Sequence, residues 1–177
     1  MARYVGGDEA ALREIFERYA PRLRGLFRRH LFREDQAADL VQQTFLQLHR
    51  ARKDFRAGSP LRPWLYTIAL NLQRRLFRTL ARKPATSLEG EPADAGDGPS
   101  QAIERLERIA KVQAALSQIS PQQREVIELH WFEGLPFAEV ARVVGASLSA
   151  VKVRAHRGYK KLAVELEGLG NQTSGAG

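Results

Sequence analysis

The sequence has 177 residues, 44% of them apolar and 27% charged, with no cysteine and a formal net charge of +8. That length suits one ordinary domain or two small ones, and the absence of cysteine excludes disulfides, thiolate metal sites and cysteine nucleophiles. The charge favours a polyanionic partner, nucleic acid ahead of an anionic membrane surface.

The opening stretch "MARYVGGDEAALREIF" lacks the apolar core of a signal peptide, and no apolar run is long enough to span a bilayer. A cytoplasmic protein without membrane insertion is expected. Leu12, Ile15, Phe16 and Tyr19 form the first helical stripe. Pro21 is predicted to start the next helix, through "RLRGLFRRHLF". "REDQAADLVQQTFLQLHRAR" opens with acids and ends with bases, which suits the helix dipole. Its apolar stripe is Ala37, Val41, Thr44, Phe45 and Leu48. Gly58, Pro60 and Pro63 then interrupt the chain.

The helix that follows, from Leu61 to Lys83, is predicted to turn Leu65, Ile68, Leu72, Leu76 and Leu80 inward. Asn71, Arg74, Arg75, Arg78 and Arg82 share its other side. An amide among guanidiniums suits DNA, the amide for a base edge and the guanidiniums for phosphate. Trp64 and Tyr66 sit at the start of this helix, beside the loop of Phe55. Aromatics next to cations suit unpaired bases. Trp64 is read as core, whereas Phe55 fits packing and base contact equally.

Residues 84–101, "PATSLEGEPADAGDGPSQ", hold three prolines, three glycines and four acids and almost nothing to bury. They are expected to be a flexible acidic linker. The segment before them has 18 Lys/Arg against 8 Asp/Glu, and the segment after them 10 against 8. Neither segment shows strand alternation. The fold class is therefore all-α: two small helical domains, 1–83 and 102–168, followed by a disordered tail, 169–177.

In the second segment Ile119, Val126, Ile127, Leu129 and Trp131 supply a small core, and Trp131 and Phe132 are read as packing residues. A short helix is expected from Pro136 to Val144. Gly145 suits a left-handed turn and Ser147 a helix cap. This is a helix-turn-helix, the build of a major-groove reader. On the second helix Val151, Ala155, Gly158 and Leu162 fall on one narrow arc at the helical period. Ser149, Lys152, Val153, His156, Arg157 and Lys160 centre on the opposite arc, where base-edge and phosphate contacts are possible.

Three blocks in this order, "DLVQQTFLQLHR", "WLYTIALN" and "AVKVRAHRGYKKL", resemble a bacterial sigma factor of the extracytoplasmic-function (ECF) group, in the sigma-70 superfamily. The resemblance runs from about Glu9 to Leu166. It implies a factor that binds core RNA polymerase and directs promoter recognition, melting and initiation, with an anti-sigma factor as a further partner. By position, Asp39, Gln42, Gln43 and Leu46 resemble the docking surface for core polymerase. Phe55 and Asn71 match positions that hold a flipped base of the melted non-template strand, with Arg74, Arg75 and Arg78 along the nearby DNA path. Lys152, Val153, His156 and Arg157 match the face that reads duplex DNA at the upstream element, flanked here by Ser149 and Lys160. The family often has Glu where Gln43 stands and an acidic residue soon after Asn71.

An enzyme is not expected: the four histidines do not cluster at metal spacing, and there is no P-loop or HExxH. Neither a metal nor a cofactor is expected. The alternative reading is a stand-alone helix-turn-helix repressor with an N-terminal sensor domain, which would read a palindrome as a dimer. A membrane-surface protein fits the charge but leaves the glycine turn and the second domain unaccounted for.

Overall fold

The computed structural model describes residues 1–30, 34–80, 110–112 and 114–173, with side chains as far as residue 167. Among them every regular element is a helix, as the sequence implies. The chain divides into two compact units, Met1–Pro92 and Ala93–Gly177. The expected linker, 84–101, and the expected boundaries beside it lie outside the described residues.

The first unit holds α1 (Ala2–Val5), α2 (Glu9–Arg28), α3 (Glu34–Arg50), a single 3₁₀ turn (Arg52–Asp54) and α4 (Leu61–Leu80). Asp8 caps α2 by accepting from the Ala11 amide at 3.3 Å. Arg3 pairs with both Asp8, at 2.7 Å, and Glu14, at 3.0 Å. Its hydrogen bond holds the Asp8 carboxyl below the usual carboxylate range, against a smaller opposing effect of burial. Tyr4 is buried and hydrogen-bonds His49, which fastens α1 to the end of α3.

Pro21 does not start a helix. It lies inside α2, whose 20 residues run through it. A proline there removes one backbone hydrogen bond and costs ~3 kcal/mol. Ile15 and Tyr19 before it, and Leu23, Leu26 and Phe27 after it, are buried on one continuous face. Fully burying a large apolar side chain contributes roughly 1.5–3 kcal/mol, so keeping that face unbroken outweighs the lost bond. Phe16, expected in the stripe, is exposed, although its ring lies 4.7 Å from that of Phe45.

Helix α3 packs against both α2 and α4. It buries Ala37, Leu40, Val41, Thr44, Phe45 and Leu48. The Thr44 hydroxyl is satisfied within the helix, donating to the Leu40 carbonyl at 2.7 Å. Arg24 and Arg28 of α2 both pair with Glu34 at the start of α3.

The inner face of α4 differs from the expected one. Leu65, Tyr66, Ala69, Leu70 and Gln73 are buried, while Ile68, Leu72, Leu76 and Leu80 are only partly covered. The leucine spacing suggested an arc that the packing rotates toward Tyr66 and Gln73. Within α4 every residue after Gln73 is at least partly exposed.

The second unit holds a helical stretch over 114–118, then α5 (Pro121–Ile127), which passes into one π turn (Glu128–Phe132), then α6 (Phe137–Val144) and α7 (Leu148–Thr173). Ser120 and Gln123 form a reciprocal capping box at the start of α5. Leu116, Ile119 and Ile127 form a core cluster, with Tyr159 and Leu162 packed against it. Val126, Leu129, Leu135, Val140, Val151 and Ala155 are also buried. Glu128 is 1% exposed in its side chain and is paired with Arg124 Nε at 3.0 Å, one turn earlier.

Two expectations for this unit are corrected. Trp131 and Phe132 are not core: they are 70% and 48% exposed. Both lie in the π turn, Glu128–Phe132, whose wider winding departs from the α-helical phase of α5. Trp131 instead meets the edge of Tyr159, ring centroids 6.3 Å apart. The expected tail, 169–177, is helical as far as Thr173, and 174–177 lie outside the described residues. Gly168 and Gly170 lower helix propensity by about 1 kcal/mol each relative to Ala, but neither blocks the backbone ladder as a proline would.

Candidate nucleic-acid interface

The second unit positions its candidate surface through a tight turn. Gly145 closes α6 with φ 66° and ψ 41°, a left-handed conformation that costs a side-chain-bearing residue roughly 1–2 kcal/mol. The Ala146 amide reaches back to the Ala141 carbonyl at 3.0 Å. Ser147 then caps α7, its Oγ accepting from the Ala150 amide at 3.2 Å and lying 3.0 Å from Ser149 Oγ. The angle between the two helices is thus fixed by three consecutive residues.

Helix α7 is seated by Val151, Ala155 and Gly158, all buried. At Gly158 it approaches α5 so closely that an added Cβ would stand 2.7 Å from Ile127 Cδ1 and 3.3 Å from Gln123 Cβ. Lys161 Nζ donates to the Gln118 carbonyl and ties the helix down further along. With that side fixed, Ser149, Lys152, Val153, His156, Arg157 and Lys160 are all exposed, and the structure brings them together on one outward face. Burial pushes the Tyr159 phenol up, an effect that contact with Trp131 partly offsets.

In the first unit Phe55 follows the 3₁₀ turn and lies edge-on to Trp64, ring centroids 5.1 Å apart. Both rings are partly exposed, so they present an apolar wall at the start of α4. Asn71 is exposed two turns later, and its Oδ1 accepts a long 3.5 Å contact from Arg74 Nη1. Arg75 and Arg78 are exposed, and Arg74 is half-buried. Arg82 lies outside the described residues. Pro63, at the third position of α4, is tolerated there because its missing amide has no helical partner to lose.

Asp39, Gln42, Gln43 and Leu46 all lie exposed on the outer face of α3. Asp39 and Gln43 also line a cleft of about 260 Å³ with Leu72, Arg75 and Leu76 of α4. The polymerase-facing and DNA-facing residues expected from the sequence therefore meet along one groove. Arg18, Tyr19, Arg22 and Arg62 line a second cleft of about 180 Å³. The sequence reading missed this grouping because splitting the helix at Pro21 put Arg18 and Arg22 on different elements, whereas an unbroken α2 sets them one turn apart.

Residues 15–83 match the family "Sigma-70 region 2", and residues 109–162 match "Sigma-70, region 4". The chain is 36% identical over 163 residues to RNA polymerase sigma factor CarQ of Myxococcus xanthus, covering 92% of each. It superposes on CnrH, solved in complex with the cytosolic domain of CnrY, with a TM-score of 0.75 at 29% identity, covering 94% of each chain. It also superposes on the sigma factor RpoE of Bartonella quintana, solved with the anti-sigma factor NepR, with a TM-score of 0.69 at 26% identity, covering 88% of this chain and 96% of that one. The chain belongs to the sigma-70 family, as a sigma factor of the extracytoplasmic-function group. It is a transcription initiation factor.

Proposed function

We propose that the two units divide the work of initiation as follows. As an ECF sigma factor the chain binds core RNA polymerase and directs promoter recognition, melting and initiation. The outer face of α3, with Asp39, Gln42, Gln43 and Leu46, docks on core polymerase. The exposed face of α7 reads the upstream element in the major groove, with Lys152 and Arg157 as the hydrogen-bonding cations, Val153 as the apolar contact, and Ser149, His156 and Lys160 around them. Phe55 and Asn71 hold an extruded base of the non-template strand, and Arg74, Arg75 and Arg78 track its backbone.

Each unit alone makes modest DNA contacts. Held on one polymerase, they act at high effective concentration on the same promoter, and their affinities combine. Extruding a base costs a few kcal/mol, and a pocket that binds only the extruded form offsets that cost. Melting then follows from selective binding to the open state, without nucleotide hydrolysis by this chain. Its place of work is the cytoplasm, with core polymerase. An anti-sigma factor controls it, as the complex of RpoE with NepR suggests.

The observation that carries this reading is the α7 face. Five polar or cationic residues and the apolar Val153 stand outward because Val151, Ala155 and Gly158 are buried behind them. Co-purification separates it from a stand-alone repressor: the chain should elute with core polymerase on size exclusion, whereas a repressor would elute as a free dimer.

A further inference from the structure

Val153 is the odd member of the α7 face. It is 48% exposed, yet of the six residues there it alone has a side chain that can neither donate nor accept a hydrogen bond. At ~100° per residue, Val151, Ala155 and Gly158 lie about 160°, 160° and 140° round the helix from it. All three are buried, so Val153 points almost straight away from the core. Burial therefore does not account for it. Neither does helix propensity, since a β-branched side chain is a poorer helix former than Ala, Lys or Arg. Ser149 and Arg157 stand one turn to either side of it, and His156 and Lys152 complete its surroundings on the face.

The chemistry of the major groove identifies what such a residue can recognise. Every base pair presents donors and acceptors there, and thymine alone adds an apolar group, its C5-methyl. Ser149, Lys152, His156 and Arg157 can meet the polar edges. Val153 can gain only from the methyl. Against guanine, adenine or cytosine it would strip water from a polar edge and give no bond in return. The side chain thus favours thymine and disfavours the other bases, and specificity comes from both. Val153 also lies in the second turn of α7, which begins at Leu148, and the N-terminal residues of a recognition helix are those that reach base edges. We infer that Val153 selects a thymine in the upstream element by contact with its C5-methyl. This rests on the proposed reading of DNA by α7.

The test uses the full chain with core RNA polymerase and the upstream element that this holoenzyme selects from a promoter library. Each thymine of that element, on either strand, is replaced in turn by deoxyuridine, which keeps the pairing with adenine and removes only the methyl. Binding is measured by competition between duplex templates. One replacement should weaken wild-type binding about three- to fourfold, the value of burying one methyl-sized group. The same replacement should cost Val153→Ala nothing, and Val153→Ala should lose a similar factor on the thymine template. Alanine is the better helix former, so this variant should fold at least as well, which circular dichroism verifies. An element without thymine, or one in which the wild type tolerates every replacement, would overturn the inference. So would a replacement that costs Val153→Ala as much as the wild type, since another residue would then hold the methyl. So would weaker core polymerase binding by Val153→Ala with base preference intact, which would make Val153 part of a protein contact. Lys152→Ala and Arg157→Ala are run alongside. If they change the element selected while the deoxyuridine series is flat, this inference falls and the proposed function stands. If no α7 variant changes the element, α7 is not the reading face and the proposed function itself fails.

Discussion

Gly158 of α7 lies so close to Ile127 of α5 that a Cβ on the glycine would stand 2.7 Å from Ile127 Cδ1. This approach fixes how α7 is rolled on its base, and hence which residues face outward. Gly158→Ala should lower the stability of the second unit by about 1 kcal/mol. Overpacking costs ~1–3 kcal/mol, and the helix propensity gained over glycine returns about 1 kcal/mol. With Trp64→Phe as background, Trp131 fluorescence reports this unit alone, and the melting temperature should fall by about 4–8 °C for a domain of this size. A rise in melting temperature would mean that Ile127 yields freely.

Lys152→Ala and Arg157→Ala should each weaken upstream-element recognition. Both side chains are exposed opposite the buried Val151 and Ala155. A bidentate base contact is worth ~1–3 kcal/mol, so the loss is about tenfold or more for whichever residue makes one. Transcription at limiting holoenzyme measures it. Wild-type rates from both variants would move the reading face elsewhere.

Much of this was legible in the sequence, for local reasons. Gly145 and Ser147 announce the turn because left-handed backbone and a side-chain cap are properties of single residues. The outward arc of α7 follows from one helical period. What was not legible depends on packing partners. Pro21 suggests a helix start until Leu23, Leu26 and Phe27 are seen buried on the same face as Ile15 and Tyr19. The leucines of α4 suggest one buried arc, and contact with α3 selects another that includes Gln73. Trp131 is hydrophobic enough to be counted as core, yet in the π turn its ring stands exposed. The Arg18–Arg22–Arg62 cleft depends on both the unbroken α2 and its approach to the start of α4.

Replacing Asp39, Gln42 and Gln43 together with Ala should cut core polymerase affinity about tenfold or more, equivalent to 1.4 kcal/mol or more. All three are exposed on α3, so the helical circular dichroism spectrum should not change. A pull-down in which the triple variant keeps wild-type affinity would remove α3 as the docking surface.

Asn71→Ala should slow open-complex formation and barely affect initial docking. It should also relax base preference at one downstream position, because the amide that distinguishes base edges is gone. A pre-melted bubble removes the cost of opening, so it should rescue the rate and leave the preference relaxed. Permanganate footprinting on duplex and bubble templates reads both. An equal defect on both templates with preference intact would place the base elsewhere than Asn71.

The most direct test is transcription in vitro from a promoter library, with core RNA polymerase in the presence and absence of the purified chain. The account predicts that the chain alone confers initiation at a subset of promoters sharing an upstream and a downstream element, and that Lys152→Ala or Arg157→Ala alters the upstream element selected while Asn71→Ala alters the downstream one. Repression of promoters that core polymerase serves with another sigma factor, and no initiation dependent on this chain, would contradict it.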